Sequence, residues 1–398
     1  MKKKLLFIAA ISILGIQCSK SDKTDTADDS SKLISANDQS TKDRYIIKFR
    51  DDLLNKSLIS LDENLKDKLS TVISPFVENT GIDPSNIVHY YTNVYPGIAV
   101  SLTDEQLSKV LNHNLVDLVS LDEKITLGDF EEQNLKSNLK GQNTPWGISR
   151  VGSADGTGKT AWIIDTGVDL DHPDLKVDAL RSQSFATGDG TFLSNGGDDN
   201  HGHGTHVAGT VAAIDNNVGV KGVAAGATVV AIKVLGGNGT GLLSDVIAGV
   251  DYTAGLSLPG DVANMSLSSG ANSLMDLAVQ SASLGGTWYV MAAGNDRRDA
   301  NLNSPARANG PFLVTVSAFR SGDTWASFSN YGNPPVDYAA PGQSVYSTYR
   351  NGSYRTLSGT SMAAPHVAGL YLISNGAPNS YSTVLNDPDG TPDPIAEL

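Results

Sequence analysis

The 398 residues carry 43 acidic against 29 basic side chains, a formal net charge of −14, with 40% hydrophobic residues and 40 glycines. No basic patch occurs beyond the extreme N-terminus, so the balance argues against nucleic acid as a partner. The length exceeds what one compact domain usually needs and points to processing segments or a second domain.

The chain opens as an address: Met1-Lys2-Lys3-Lys4 is a positive n-region, and residues 5–16 are an apolar run short for a membrane span. Cys18, the single cysteine, follows at once, so residues 1–18 read as a signal peptide. The placement is similar to a bacterial lipoprotein signal, with Gln17 where that pattern prefers a small residue. Lipidation at Cys18 and plain secretion both stay open, and neither leaves a disulfide to staple the mature protein. Residues 19–43 are polar and charged, the composition of a disordered tether.

A small unit follows over residues 44–130. Residues 45–49 read as a strand, 55–77 as an amphipathic helix, and 87–91 and 97–102 as two more strands. Thr103-Asp104-Glu105-Gln106 is a capping box that opens a helix to about His113, and 115–121 give a last strand. That β-α-β-β-α-β order is the ferredoxin-like arrangement.

From residue 131 to 398, after a stretch at 131–143 that is a linker or an extended N-terminus, strands alternate with helices. Strands are expected at 161–165, 228–235, 262–267, 287–292 and 312–318. Helices are expected at 203–214, 244–256 with Ser244 as N-cap, 273–284, and 360–374 with Pro365 near its start. This is the pattern of a mostly parallel sheet covered on both faces. The residues after Gly376 read as loop.

Three motifs carry chemistry. Trp162-Ile163-Ile164-Asp165-Thr166-Gly167 ends a buried strand on a carboxylate, where open α/β sheets build sites. His201-Gly202-His203-Gly204-Thr205-His206 offers a base, and Ser358-Gly359-Thr360-Ser361-Met362 places a serine hydroxyl at a helix start. A serine nucleophile needs such a base, and the base needs an orienting group. Alternatives weigh less: an aspartic-protease dyad needs a second Asp-Thr-Gly, which is absent, and the histidine spacing is not His-Glu-x-x-His. His206 and His366 read as packed helix histidines and His201 as a loop residue.

On these segments the chain resembles the subtilase family of serine proteases, its proteinase K-like branch above all, with the Asp, His, Ser order that subtilisins use. The resemblance implies a subtilisin-like three-layer α/β fold preceded by a ferredoxin-like inhibitory propeptide. Asp165, His203 and Ser361 then form the triad. Asn295, in Ala292-Ala293-Gly294-Asn295, supplies the oxyanion donor. Gly239, Thr240 and Gly241 make one edge of the substrate groove, and Ser266, Leu267 and Ser268 the other. Ser268 stands where the family usually has glycine, which crowds the primary pocket; cleavage after apolar or aromatic residues is expected.

The resemblance also implies structural calcium on the carbonyls of Pro311 and Leu313 and the carboxylate of Asp337, against a plain solvated aspartate. The implied activity is that of a secreted, monomeric serine endopeptidase made as an autoprocessed zymogen. Its partners are protein or peptide substrates and its own propeptide, and a membrane is met only through a lipid at Cys18. Cleavage is expected after Phe130 or nearer Lys140. A pseudoenzyme that only binds peptides and a surface-anchored adhesion protein remain as rivals.

Overall fold

A computed structural model describes residues 43–53, 64–128, 131–133, 141–187, 196–374 and 376–398. The signal, residues 19–42 of the tether, the first part of the 55–77 helix, and both Phe130 and Lys140 lie outside the described residues, while Asp43, expected in the tether, already belongs to the first strand.

The N-terminal unit comprises β1 (Asp43–Phe49), α1 (Leu65–Thr80), β2 (Ile87–Tyr91), β3 (Gly97–Leu102), α2 (Asp104–Leu111) and β4 (Val116–Leu121). Its sheet runs β2-β3-β1-β4 with β1 antiparallel to both neighbours, the ferredoxin-like order. The capping box at Thr103 and Gln106 forms in full and starts α2. Ile47, Phe49, Leu69, Ile73, Phe76 and Ile98 fill the space between sheet and helices.

Two short strands follow, β5 (Lys124–Thr126) and β6 (Glu131–Gln133), then α3 (Trp146–Val151), β7 (Thr160–Asp165), α4 (His203–Ala212), β8 (Thr228–Lys233) and β9 (Thr240–Leu242). Next come α5 (Leu243–Leu256), β10 (Val262–Met265), α6 (Ser273–Ser283), β11 (Trp288–Ala292) and β12 (Leu313–Arg320). The last elements are β13 (Val336–Pro341), the hairpin β14 (Val345–Tyr349) and β15 (Ser353–Ser358), and α7 (Thr360–Ser374). Strands β8, β7, β10, β11, β12 and β13 pair in that order, all parallel. Successive side chains on a strand point to opposite faces. On β7, accordingly, Ala161 and Ile163 join the core under α4 and α7, while Trp162 and Ile164 join the core under α5 and α6. The result is three layers, with helices on both faces.

The expected elements reappear with their ends shifted, and one capping assignment is corrected. Ser244 is not the N-cap of α5: Leu242 is, and it makes no side-chain cap bond. Asp122 of the N-terminal unit does that work, accepting the Ser244 N–H at 2.8 Å and its Oγ–H at 2.7 Å. A cap supplied from 122 residues away leaves no local signal. Pro365 is the sixth residue of α7, past the first turn, so the Ser361 carbonyl loses its helical donor; the Ser266 hydroxyl donates to it instead, at 2.9 Å. The final segment has no helix, as expected, yet it is not a loose loop. Ile395 pairs with Ala339, and Asp393, Ile395 and Ala396 are buried. Burial together with nearby Asp387 pushes the Asp393 carboxyl up to about 7.

The ferredoxin-like sheet docks on α5 and buries its apolar face there, Ile46, Tyr91 and Ala99 joining the same core as Val246 and Ile247. Asp251 on α5 accepts the N–H groups of Thr92, Asn93 and Val94 at 2.7–2.9 Å. His89 reaches Asp245 at 2.8 Å.

Candidate active site

Asp165 closes β7 at the C-terminal edge of the sheet, and its strand is apolar because helices cover both faces. The turn after it is tight: Gly167 has φ +99°, and a Cβ there would lie 2.4 Å from the Gly197 carbonyl. His203 is the first residue of α4. Its Nδ1 lies 2.8 Å from Asp165 Oδ1, and both side chains are fully buried. A carboxylate bound at Nδ1–H fixes the tautomer in which Nε2 carries the lone pair.

Ser361 is the second residue of α7 and is 5% exposed, with its Oγ–H donating to the Ser266 carbonyl at 3.2 Å. Asn295 follows β11. Its Oδ1 accepts both the N–H and the hydroxyl of Thr360 at 2.8 Å, so its amide nitrogen turns the other way. That nitrogen faces Gly128, where an added Cβ would stand 3.4 Å from it.

Gly128 sits there because the segment before it lies in the groove as a strand. Lys124, Ile125 and Thr126 pair antiparallel with Leu242, Gly241 and Thr240. The Leu127 N–H donates to the Gly239 carbonyl at 3.0 Å, and Thr126 bridges Ser268 on the opposite side. Ile125 is fully buried. Gly239, Thr240, Gly241 and Ser268 are thereby brought around one extended segment, whereas Ser266 is buried behind it and bonds to Ser361 through both its hydroxyl and its carbonyl. Beyond the serine the chain resumes in strand form, with Glu131 paired to Ser358. A narrow cavity lined by Gly128, Leu267, Ser268, Asn295 and Ser361 holds about 10 Å³, room for one water.

The other histidines divide. His206 donates from Nε2 to the Val345 and Arg355 carbonyls, and burial, with His203 nearby, lowers its pKa to about 3. His366 donates from Nδ1 to the Met362 carbonyl at 2.8 Å and falls to about 4 through burial. Both are packed helix histidines, neutral at ordinary pH. His201 is more than a loop residue: it lines the groove beside Leu127 and Gly239, and burial lowers its pKa. Among the described residues, no group of three His, Cys, Asp or Glu could hold a metal ion.

Sequence reasoning passed over Asp199. Its carboxylate is 6% exposed and accepts from the Thr166 hydroxyl, the N–H groups of His201, Gly202 and Thr205, and the Thr205 hydroxyl. These bonds cap α4, whose own N-cap is Gly202 with no side chain to offer. The available signal was an Asp-Asn pair just ahead of a helix that starts on glycine.

The model described as "Subtilase family" matches residues 156–384, and that described as "Peptidase inhibitor I9" matches residues 44–128. The cuticle-degrading protease of Metarhizium anisopliae is 34% identical over 82% of this chain and 78% of its own. Alkaline serine exoprotease A of Vibrio alginolyticus is 34% identical over 87% of this chain, which spans 63% of that protein. The subtilisin-like serine protease AsES of Sarocladium strictum is 32% identical over 90% of each chain. The crystal structure of a cold adapted subtilisin-like serine proteinase aligns at 37% identity and a TM-score of 0.55, covering 63% of this chain and 97% of that one.

Proposed function

Because this chain belongs to the subtilase family, we propose that it is a secreted serine endopeptidase made as a zymogen, which cleaves itself after Gly128. The observation that carries the reading is the groove, where residues 124–128 lie as a substrate strand that ends beside Asn295 and Ser361. Ser361 Oγ attacks the carbonyl carbon while His203 takes its proton, and Asp165 stabilises the imidazolium. The oxyanion is held by the Asn295 amide and the Ser361 N–H. As the C–N bond breaks, the same proton passes to the leaving amine and an acyl-serine remains. Water then repeats the sequence and frees the serine.

The junction is read from register. Gly128 occupies the position next to the nucleophile, and a residue without a side chain suits the small cavity beneath it. The inhibitor match also ends at residue 128. We therefore place cleavage at the Gly128–Asp129 bond, upstream of both Phe130 and Lys140. The N-terminal unit, docked through Asp251, His89 and Asp122, acts as the intramolecular inhibitor. Secretion rests on the charged and apolar N-terminus. No helix among the described residues is long and apolar enough to cross a membrane.

A fluorophosphonate probe followed by mass mapping tests this in one preparation. The expected result is a single adduct on the peptide that contains Ser361, on a protein whose N-terminus is Asp129. A folded protein that takes no label sinks the protease reading, whereas labelled protein with another N-terminus sinks only the junction.

Structural calcium belongs to the same proposal. Asp337 accepts the Thr315 N–H at 2.8 Å, which anchors its carboxylate beside β12 two residues beyond Leu313. Asp337 stands exposed on β13 with its pKa raised by desolvation, and a hard cation held with the Pro311 and Leu313 carbonyls would favour its charged form. A ligand that binds only the folded form stabilises by about 2.7 kcal/mol at a hundredfold excess over its Kd. Chelation is expected to shorten the half-life of the mature enzyme at elevated temperature, and Asp337→Asn to remove most of that sensitivity. A parent indifferent to chelator, or a variant as sensitive as the parent, counts against this site.

A further inference from the structure

We infer that Lys233 is a positioning residue for the Asp165–His203 pair; the inference rests on the endopeptidase reading above. Lys233 ends β8 directly opposite Asp165 at the end of β7 and is 1% exposed. Its ammonium donates to the Thr166 carbonyl at 2.6 Å, to Asn200 Oδ1 at 2.8 Å and to the Leu235 carbonyl at 2.9 Å. An ammonium has three hydrogens, and these three acceptors match them. Taking such a charge out of water is costly, so satisfied geometry of this kind is a condition of its being there at all.

Each acceptor belongs to a different part of the site. Thr166 follows the triad aspartate, Asn200 lies in the loop that leads into His203, and Leu235 opens the turn to the groove edge. The bonds close a ring. The Thr166 hydroxyl donates to Asp199 Oδ1 at 3.0 Å and accepts the Gly204 N–H at 2.9 Å, while the Thr166 carbonyl accepts from Lys233, which in turn holds Asn200. Asp199 and Asn200 are adjacent in the chain, so the strand end and the histidine loop are clamped from both sides of Thr166. Slack is small: a Cβ on Gly204 would lie 2.1 Å from the Gly167 carbonyl and 3.2 Å from Asp165 Oδ1. The ring thus sets the distance across which Asp165 orients His203 without containing either residue. Small misplacements at a reacting centre are expensive in rate.

The test uses Lys233→Met, which keeps the stem and removes the donors, and Asn200→Ala, which removes one acceptor and leaves the cation. For Lys233→Met the expectation is a fall in kcat of about 10- to 100-fold with KM within about threefold, because the groove still binds while the base is misaligned. Asn200→Ala is expected to fall about three- to tenfold in kcat with a thermal midpoint close to the parent's. Self-processing, followed by intact mass, should slow in the same order. The inference is overturned if folded Lys233→Met hydrolyses peptide at the parental kcat and only melts earlier. Should Lys233→Met not fold, a parental kcat for Asn200→Ala overturns it alone. An inactive parent would strike the endopeptidase reading itself, which keeps the two failures apart.

Discussion

Ser361→Ala is expected to abolish peptide hydrolysis and to leave the precursor uncut. Removing the hydroxyl removes the atom to which the acyl group must attach, and no neighbour replaces it, since Thr360 is committed through its hydroxyl to Asn295. In subtilisin, a member of this family, loss of the nucleophile costs about 2 × 10⁶ in kcat, and further loss of the base costs little more, because the triad acts as one unit. The same non-additivity is expected here, so Ser361→Ala with His203→Ala should be no slower than Ser361→Ala alone. Intact mass of the purified variant gives the first answer and casein hydrolysis the second. A variant that still matures itself and cleaves casein at the parental rate would remove Ser361 from the mechanism.

Asn295→Ala comes next in size, with an expected loss in turnover of about two to three decades and little change in KM. The magnitude is taken from removal of the corresponding donor in subtilisin. KM should hold because the amide nitrogen meets charge that develops only on the way to the tetrahedral intermediate. The geometry supplies a control, since Asn295 also accepts two bonds from Thr360 that position the start of α7. Asn295→Asp keeps the acceptor and deletes the N–H donor. A donor role predicts that Asp is at least as damaging as Ala, whereas a purely structural role predicts that Asp rescues. A loss smaller than threefold in Asn295→Ala would reduce the residue to a turn former.

The residues of the candidate site were legible in the sequence because the chemistry proposed for them is written in contiguous segments. Asp165 is named by the strand it ends, His203 and Ser361 by the helices they open, and Asn295 by the Gly-Asn turn after β11. Even the ferredoxin-like unit was readable, since alternating strands and a capping box are local patterns. What escaped is what depends on partners far along the chain. Asp122 caps α5 from another unit, Asp199 reaches Thr166, and Lys233 looked like one lysine at the end of an apolar strand. Strands β13 to β15 escaped for a different reason: β14 and β15 are rich in Ser, Thr and Tyr, β13 carries Asp337 and ends on Pro341, and none has the apolar run that marks a buried strand. The tail after Gly376 read as loop because its Pro and Asp content forbids regular structure, although a few apolar residues still bury it.

One feature of the groove bears on kinetics. The strand at 124–126 pairs with 240–242 and the strand at 131–133 with 356–358, just ahead of Ser361, and both belong to the chain that carries that serine. If the proposed self-cleavage holds, the first turnover is unimolecular, with a rate indifferent to dilution and to the salt or crowding that slows diffusional encounter. Any bystander protein must compete with a tethered occupant whose effective concentration is on the order of millimolar or more. Scission ends that advantage on one side only. Under that proposal the prime-side strand would remain covalently joined to the enzyme, the released propeptide would be left to its own affinity, and inhibition would change from a property of one molecule into a mass-action equilibrium between two.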